Sequence, residues 1–122
     1  MPVYNRIAEF HDDMTAWRRE IHAHPELCFE EVRTSALVAE KLQEWGIKVH
    51  TGIAKTGVVG VLKGQGSSNK TIGLRADMDA LPLQEIADTP HASPCEGKMH
   101  ACGHDGHTAM LLGAARYLAE TR

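Results

Sequence analysis

Between Lys98 and Thr108 the chain reads Lys-Met-His-Ala-Cys-Gly-His-Asp-Gly-His-Thr. A thiol (Cys102), three imidazoles (His100, His104, His107) and a carboxylate (Asp105) crowd together here, spaced by alanine and glycine. Thiolate and imidazole are the ligands that zinc and other borderline-soft divalent ions prefer. The small spacers let the backbone close around an ion. His100, Cys102 and His104 alternate, so on an extended segment their side chains share one side. The chemistry this pattern predicts is divalent-metal binding centred on Cys102 and His104. His100 and His107 suit either ligation or hydrogen bonding to a ligand. A nucleophilic Cys102 with a histidine base is the weaker reading, because residues two apart on a strand are poorly placed for a thiol–imidazole bond. Isolated His11, His50, Cys28 and Cys95 read as ordinary surface or core side chains.

A second candidate is Arg75-Ala76-Asp77-Met78-Asp79-Ala80-Leu81-Pro82. Two carboxylates just past an apolar run fall where open α/β sheets place their sites, at the carboxyl ends of strands. The plainer alternative is a strand-to-loop transition with Asp79 as a turn former.

The elements around these residues follow from periodicity. Ile7, Phe10, Met14, Trp17 and Ile21 recur at steps of three and four, predicting one amphipathic helix from about Tyr4 to His22, broken by Pro25. A second helix is predicted from about Glu31 to Trp45, with Leu37, Val38, Leu42 and Trp45 inward and Gly46 as its left-handed terminator. The period then changes. Residues 47–50 alternate like a short strand, and 58–62 and 71–76 are β-branched runs joined by Gly64-Gln65-Gly66-Ser67-Ser68-Asn69, read as a hairpin turn. Residues 81–94 read as loop. A last helix is predicted from about Gly106 to Glu120, capped by Asp105, with Met110, Leu111, Ala114, Tyr117 and Leu118 buried. The order helix-helix-strands-helix gives an α/β class.

Composition narrows the function. The 122 residues are 43% hydrophobic and 24% charged, as in a globular domain. A net charge of −3, few aromatics and no stripe of Lys or Arg argue against nucleic acid and anionic lipid. No apolar run approaches the ~20 residues of a membrane span. Arg6, Glu9 and Asp12 interrupt any signal-like stretch. Three cysteines without a leader predict a reducing cytoplasm.

Gly73-Leu74-Arg75-Ala76-Asp77-Met78-Asp79-Ala80-Leu81-Pro82, followed by Met99-His100-Ala101-Cys102-Gly103-His104-Asp105-Gly106-His107, strongly resembles the metal-dependent amidohydrolases of the hippurate hydrolase type. N-acyl-amino-acid and indole-acetyl-amino-acid hydrolases belong to the same group, within the aminoacylase–carboxypeptidase superfamily. Arg18-Arg19-Glu20-Ile21-His22-Ala23-His24-Pro25-Glu26-Leu27, with Glu30 and Glu31, is similar to that family's N-terminal segment. The resemblance implies that residues 1–122 are the N-terminal part of a two-metal, peptidase-like α/β catalytic domain without its lid. It implies two divalent ions, manganese or zinc, with Cys102 and His104 as ligands and the thiolate bridging the ions. The implied substrate is a small N-acyl amino acid, attacked by metal-activated water. A homo-oligomer is left open.

Two departures qualify that picture. The wider superfamily has a histidine ligand where Arg75 stands. Arginine has no lone pair to offer, which leaves Asp77 to support the site from behind the ligands. In addition, no Glu-Glu pair follows Cys102 and His104 to act as general base, so the isolated chain is expected to be inactive. Carboxypeptidases and desuccinylases of the superfamily are rivals; they generally have histidine at the place of Arg75 and aspartate at that of Cys102. A non-catalytic fragment is the other rival, with a structural metal closed by His100, Cys102, His104 and His107.

Overall fold

In the computed structural model, which describes residues 4–122, the elements are α1 (Asn5–Glu9), α2 (His11–Ala23), α3 (Val32–Glu44), β1 (Lys48–Ile53), β2 (Gly57–Val61) and α4 (His104–Thr121). The first predicted helix is therefore two. The backbone departs from helical geometry at Phe10 (φ −85°, ψ 0°), which turns the ring inward. Phe10 is almost fully buried, with the Arg6 and Arg116 guanidinium groups 4.7 and 4.1 Å from its ring centre. Cation–π attraction thus adds to the burial.

Pro25 ends α2 as expected: His24, just before it, leaves the helical region at φ −128°, ψ 62°. α3 then starts without a capping side chain of its own. Glu26 supplies the cap from the preceding turn, accepting hydrogen bonds from the Arg33 and Thr34 amides (2.8 and 2.7 Å) and from Thr34 Oγ1 (2.8 Å). Glu26→Ala should cost about 1–2 kcal/mol, the upper range for a helix cap, readable as a lower urea midpoint at unchanged slope. Glu26→Gln should retain most of it. At the other end Gly46 takes φ 71°, and the Ile47 amide returns to the Leu42 carbonyl (3.0 Å), the glycine-terminated ending the sequence predicts.

The hairpin falls elsewhere than expected. β1 pairs with β2 antiparallel, His50 opposite Val59 and Ile53 opposite Gly57, with an irregularity between His50 and Ile53. Its turn runs through Ala54 (φ 48°) and Lys55 (φ 80°). Left-handed residues suit such a turn, but no glycine or asparagine marks this one. Residues 71–76 are not a strand, and Ile72 is 86% exposed. A β-branched run becomes a strand only with a ladder partner, and none exists for it among the described residues.

Leu42, Ile47 and Leu112 form the core, with Trp17, Leu37, Val38, Trp45, Val49 and Val58 packed around them. The two indoles lie 5.5 Å apart between α2 and α3. The inner face predicted for α3 is the one used. That of α4 is not: Met110 and Leu118 are exposed, while Asp105, Thr108, Ala109, Leu112 and Gly113 are buried. Residues 109–115 of α4 are apolar all round, so periodicity could not select the face there. Close approach to α2 did. A side chain at Gly113 would begin 2.6 Å from Met14 Sδ, so the flexible end of Met14 would have to move aside for it.

Candidate metal centre

Two short backbone ladders assemble the site. Ala80 pairs with Leu27, its amide bonded to the Glu26 carbonyl (2.8 Å), and Leu81 pairs with Met99 through two amide–carbonyl bonds (2.9 and 3.0 Å). The second ladder closes the 82–98 loop at its base and brings Asp77 and Asp79 beside the start of α4. Thr108 Oγ1, on the first turns of that helix, donates to the Asp77 carbonyl (2.9 Å). The two stretches singled out from sequence thus meet.

His104 is the centre of what they build. Its Nδ1 lies 2.9 Å from Asp79 Oδ1 and 3.0 Å from the Asp79 carbonyl. Both atoms only accept, so Nδ1 carries the proton and Nε2 offers a lone pair. Metal-ligating histidines are held by this arrangement. Nε2 faces Asp77 Oδ2 at 3.8 Å, too far for a hydrogen bond. Two bonds of ~2.1 Å to one zinc ion would set their donor atoms about 3.4 Å apart at the tetrahedral angle and ~4.2 Å at most. A shared ion fits the gap. His107, one turn along α4, completes a group with Asp77 and His104 whose donor atoms lie within 4.8 Å of one another. The other Asp77 oxygen is taken by Arg75 at 2.5 Å.

Cys102 lies exposed on the turn before Gly103 (φ 80°), outside the Asp77–His104–His107 group. Sequence reasoning left His107 open between ligation and hydrogen bonding to a ligand, and did not assign Asp79 a partner; the structure brings His107 into the group and sets Asp79 on the His104 ring. The spacing of His104 and His107, three apart on a helix and hence on one face, was the available signal for the first. Nothing local signalled the second.

Asp105 is not the cap of α4. Gly103 occupies that position with no side-chain hydrogen bond, and the Asp105 carboxylate turns inward to 1% exposure. Its Oδ2 accepts from Arg18 Nε (2.9 Å) and meets His22 Nδ1 (2.7 Å). His22 Nε2 continues to Glu85 Oε1 (3.0 Å), and Glu85 Oε2 accepts from the Ser93 amide (2.7 Å). Burial pushes both carboxyls toward higher pKa. The His22 bond with the Gly106 amide and Arg18 for Asp105, and His22 with the Ser93 amide for Glu85, outweigh it, and both end below their ordinary values. His100 is buried beside this network with no partner at either ring nitrogen, and burial holds its imidazole toward the neutral form.

The model of Peptidase family M20/M25/M40 matches residues 73–122, the stretch that carries every residue of the candidate centre. Those residues are similar in sequence to that family. The rest of the chain shares the relationship. It is 56% identical over 119 residues to hippurate hydrolase of Campylobacter jejuni, covering 98% of this chain and 31% of that protein. It is 48% identical to thermostable carboxypeptidase 2 of Saccharolobus solfataricus, covering 97% and 30% respectively. Among solved structures it superposes on the YXEP protein of Bacillus subtilis, a dinuclear metal binding peptidase of the M20 family, with a TM-score of 0.88 and 43% identity over 94% of this chain and 32% of that one. The M20-type α/β architecture is thereby established, and the chain spans about a third of the length of these relatives.

Proposed function

We propose that this chain forms part of the catalytic domain of a metal-dependent amidohydrolase that cleaves N-acyl amino acids of the hippurate type. The observation that carries the reading is the convergence of Asp77, His104 and His107 at the start of α4, within the stretch similar in sequence to the M20 family. His104 would hold a divalent ion, manganese or zinc, through Nε2, with Cys102 as a thiolate ligand beside it and Asp79 fixing the imidazole. Asp77 and His107 stand close enough to ligate or to hold a bound water. Bound ions would supply Lewis acidity toward the scissile carbonyl and a water acidified to a pKa of about 7.

The carboxypeptidase relative points to the same bond. Benzoylglycine and a peptide's C-terminal residue both present an amide whose nitrogen belongs to an amino acid with a free carboxylate. A single site chemistry serves both, and the acyl side distinguishes them. We place the protein in a reducing compartment, the cytoplasm, on its three cysteines, which are unpaired. No helix among the described residues is long and apolar enough to cross a membrane.

The 122-residue chain should not turn over benzoylglycine, because no glutamate pair follows its metal motif to shuttle the proton from water to the leaving amine. An assay with manganese, zinc or cobalt present should show only background hydrolysis. Sustained metal-dependent turnover would put the base within the chain, at Asp77 or Asp105, and would overturn this division of labour.

A further inference from the structure

The start of α4 is poorly fixed by its own sequence. Glycines stand at 103 and 106, and no side chain caps the helix. The 82–98 loop leading into it is tied to the helices, among the described residues, by one buried side-chain bond, that of Glu85 to His22. Both bonds of the inward network meet on the His22 ring: Nδ1 to Asp105 at 2.7 Å and Nε2 to Glu85 at 3.0 Å. The ring is buried and sits on α2, the helix that packs most extensively on α4. A planar ring bonded to carboxylates on two opposite sides spaces them rigidly, which no flexible side chain does.

We propose that His22 is a positioning residue for the metal centre: by bridging Asp105 on α4 and Glu85 on the 82–98 loop, it holds the ligand-bearing turn 102–107 in register with Asp77 and Asp79. This rests on the metal reading above. His22 itself touches no ligand. Asp105 is covalently next to His104, so a displaced Asp105 carries the imidazole out of line with Asp79. Arg18, nearly half exposed, reaches the same oxygen but makes no bond to Glu85, so it cannot replace the bridge.

The test is cobalt(II) titration of the 122-residue chain, reading affinity and the visible d–d spectrum, alongside the melting of metal-free protein. Wild type should bind. H22Q should bind about 10-fold more weakly, as when supporting partners of a metal ligand are lost, with shifted d–d bands. The double variant H22Q/E85Q should regain part of both, because an amide at position 22 can donate to Asp105 while its carbonyl accepts from an amide at 85. Unchanged cobalt affinity and spectrum in H22Q, even with a lower melting temperature, would make His22 merely structural and overturn the proposal. If H22Q does not fold, E85A, which removes the loop end of the bridge, carries the test: weaker binding and shifted bands support the bridge, and wild-type values overturn it. Failure of wild type to take up cobalt would instead sink the metal reading, and the bridge with it.

Discussion

His104→Gln should lower the affinity of the chain for zinc or cobalt by roughly 100-fold or more, and Cys102→Ser should do the same. Complete structural zinc sites gain about 10–16 kcal/mol from four ligands. A centre with fewer protein ligands starts well below that, so each remaining donor is a large share. His104 is placed to be such a donor, its Nδ1 engaged by Asp79 and its Nε2 left facing Asp77 across 3.8 Å. Asp79→Asn should cost about 10-fold, within the range for partners that orient a ligand. His107→Gln separates two arrangements: a loss as large as that of Cys102→Ser makes it a ligand, whereas no loss leaves it a neighbour. Cys28→Ser and Cys95→Ser should bind as wild type. Thiolate ligation also predicts zinc and cobalt over magnesium. Calorimetric titration of these variants checks the set, and equal affinity throughout would remove the centre from this turn.

Asp105→Ala should destabilise the fold by about 3–5 kcal/mol, the cost of stranding the partners of a buried ion pair. Against a total of about 5–15 kcal/mol for a domain, that is enough to populate the unfolded chain near room temperature. The loss is concentrated on His22, which is buried, rather than on Arg18, which water can reach. Asp105→Asn should cost less, since its amide oxygen still accepts. The same network sets an acid limit. Asp105 and Glu85 titrate below their ordinary 3.8 and 4.5 in the folded chain. A carboxyl depressed by folding stabilises the native state above its unfolded pKa and ceases to as pH falls through the folded one. Melting temperature should therefore begin to fall below about pH 6.5, where the unfolded chain protonates His100, which burial keeps neutral, and fall further below about pH 4.5 as the two carboxyls protonate. In Asp105→Asn that fall should be shallower. A melting curve as steep in acid for the variant as for wild type would place the controlling carboxylates elsewhere.

What this chain's residues disclosed on their own was mostly local. The thiol and imidazoles of 100–107 carry the expectation of metal chemistry by type and spacing. Pro25, Gly46 and the 3.6-residue period of α3 mark boundaries and a buried face, because proline, a left-handed glycine and a one-sided apolar stripe each act within a turn or two. The motifs around Asp77 and Cys102 were likewise enough to point to the proteins this chain is similar to.

Other features belong to the tertiary structure alone. Nothing near Asp79 says that it will hold the Nδ1 of an imidazole 25 residues later; the Leu27–Ala80 and Leu81–Met99 pairings put it there. Asp105 looks like a cap because aspartate before a helix usually is one. It turns inward because His22 and Arg18, more than 80 residues earlier, offer stronger bonds than a free amide does. The buried face of α4 was undecidable from the all-apolar run 109–115 until packing against α2 chose it. A strand is a property of two segments, so residues 71–76 could carry every strand preference and still not form one. Periodicity and residue chemistry act along the chain, whereas pairing, burial of charge and helix contact are settled across it.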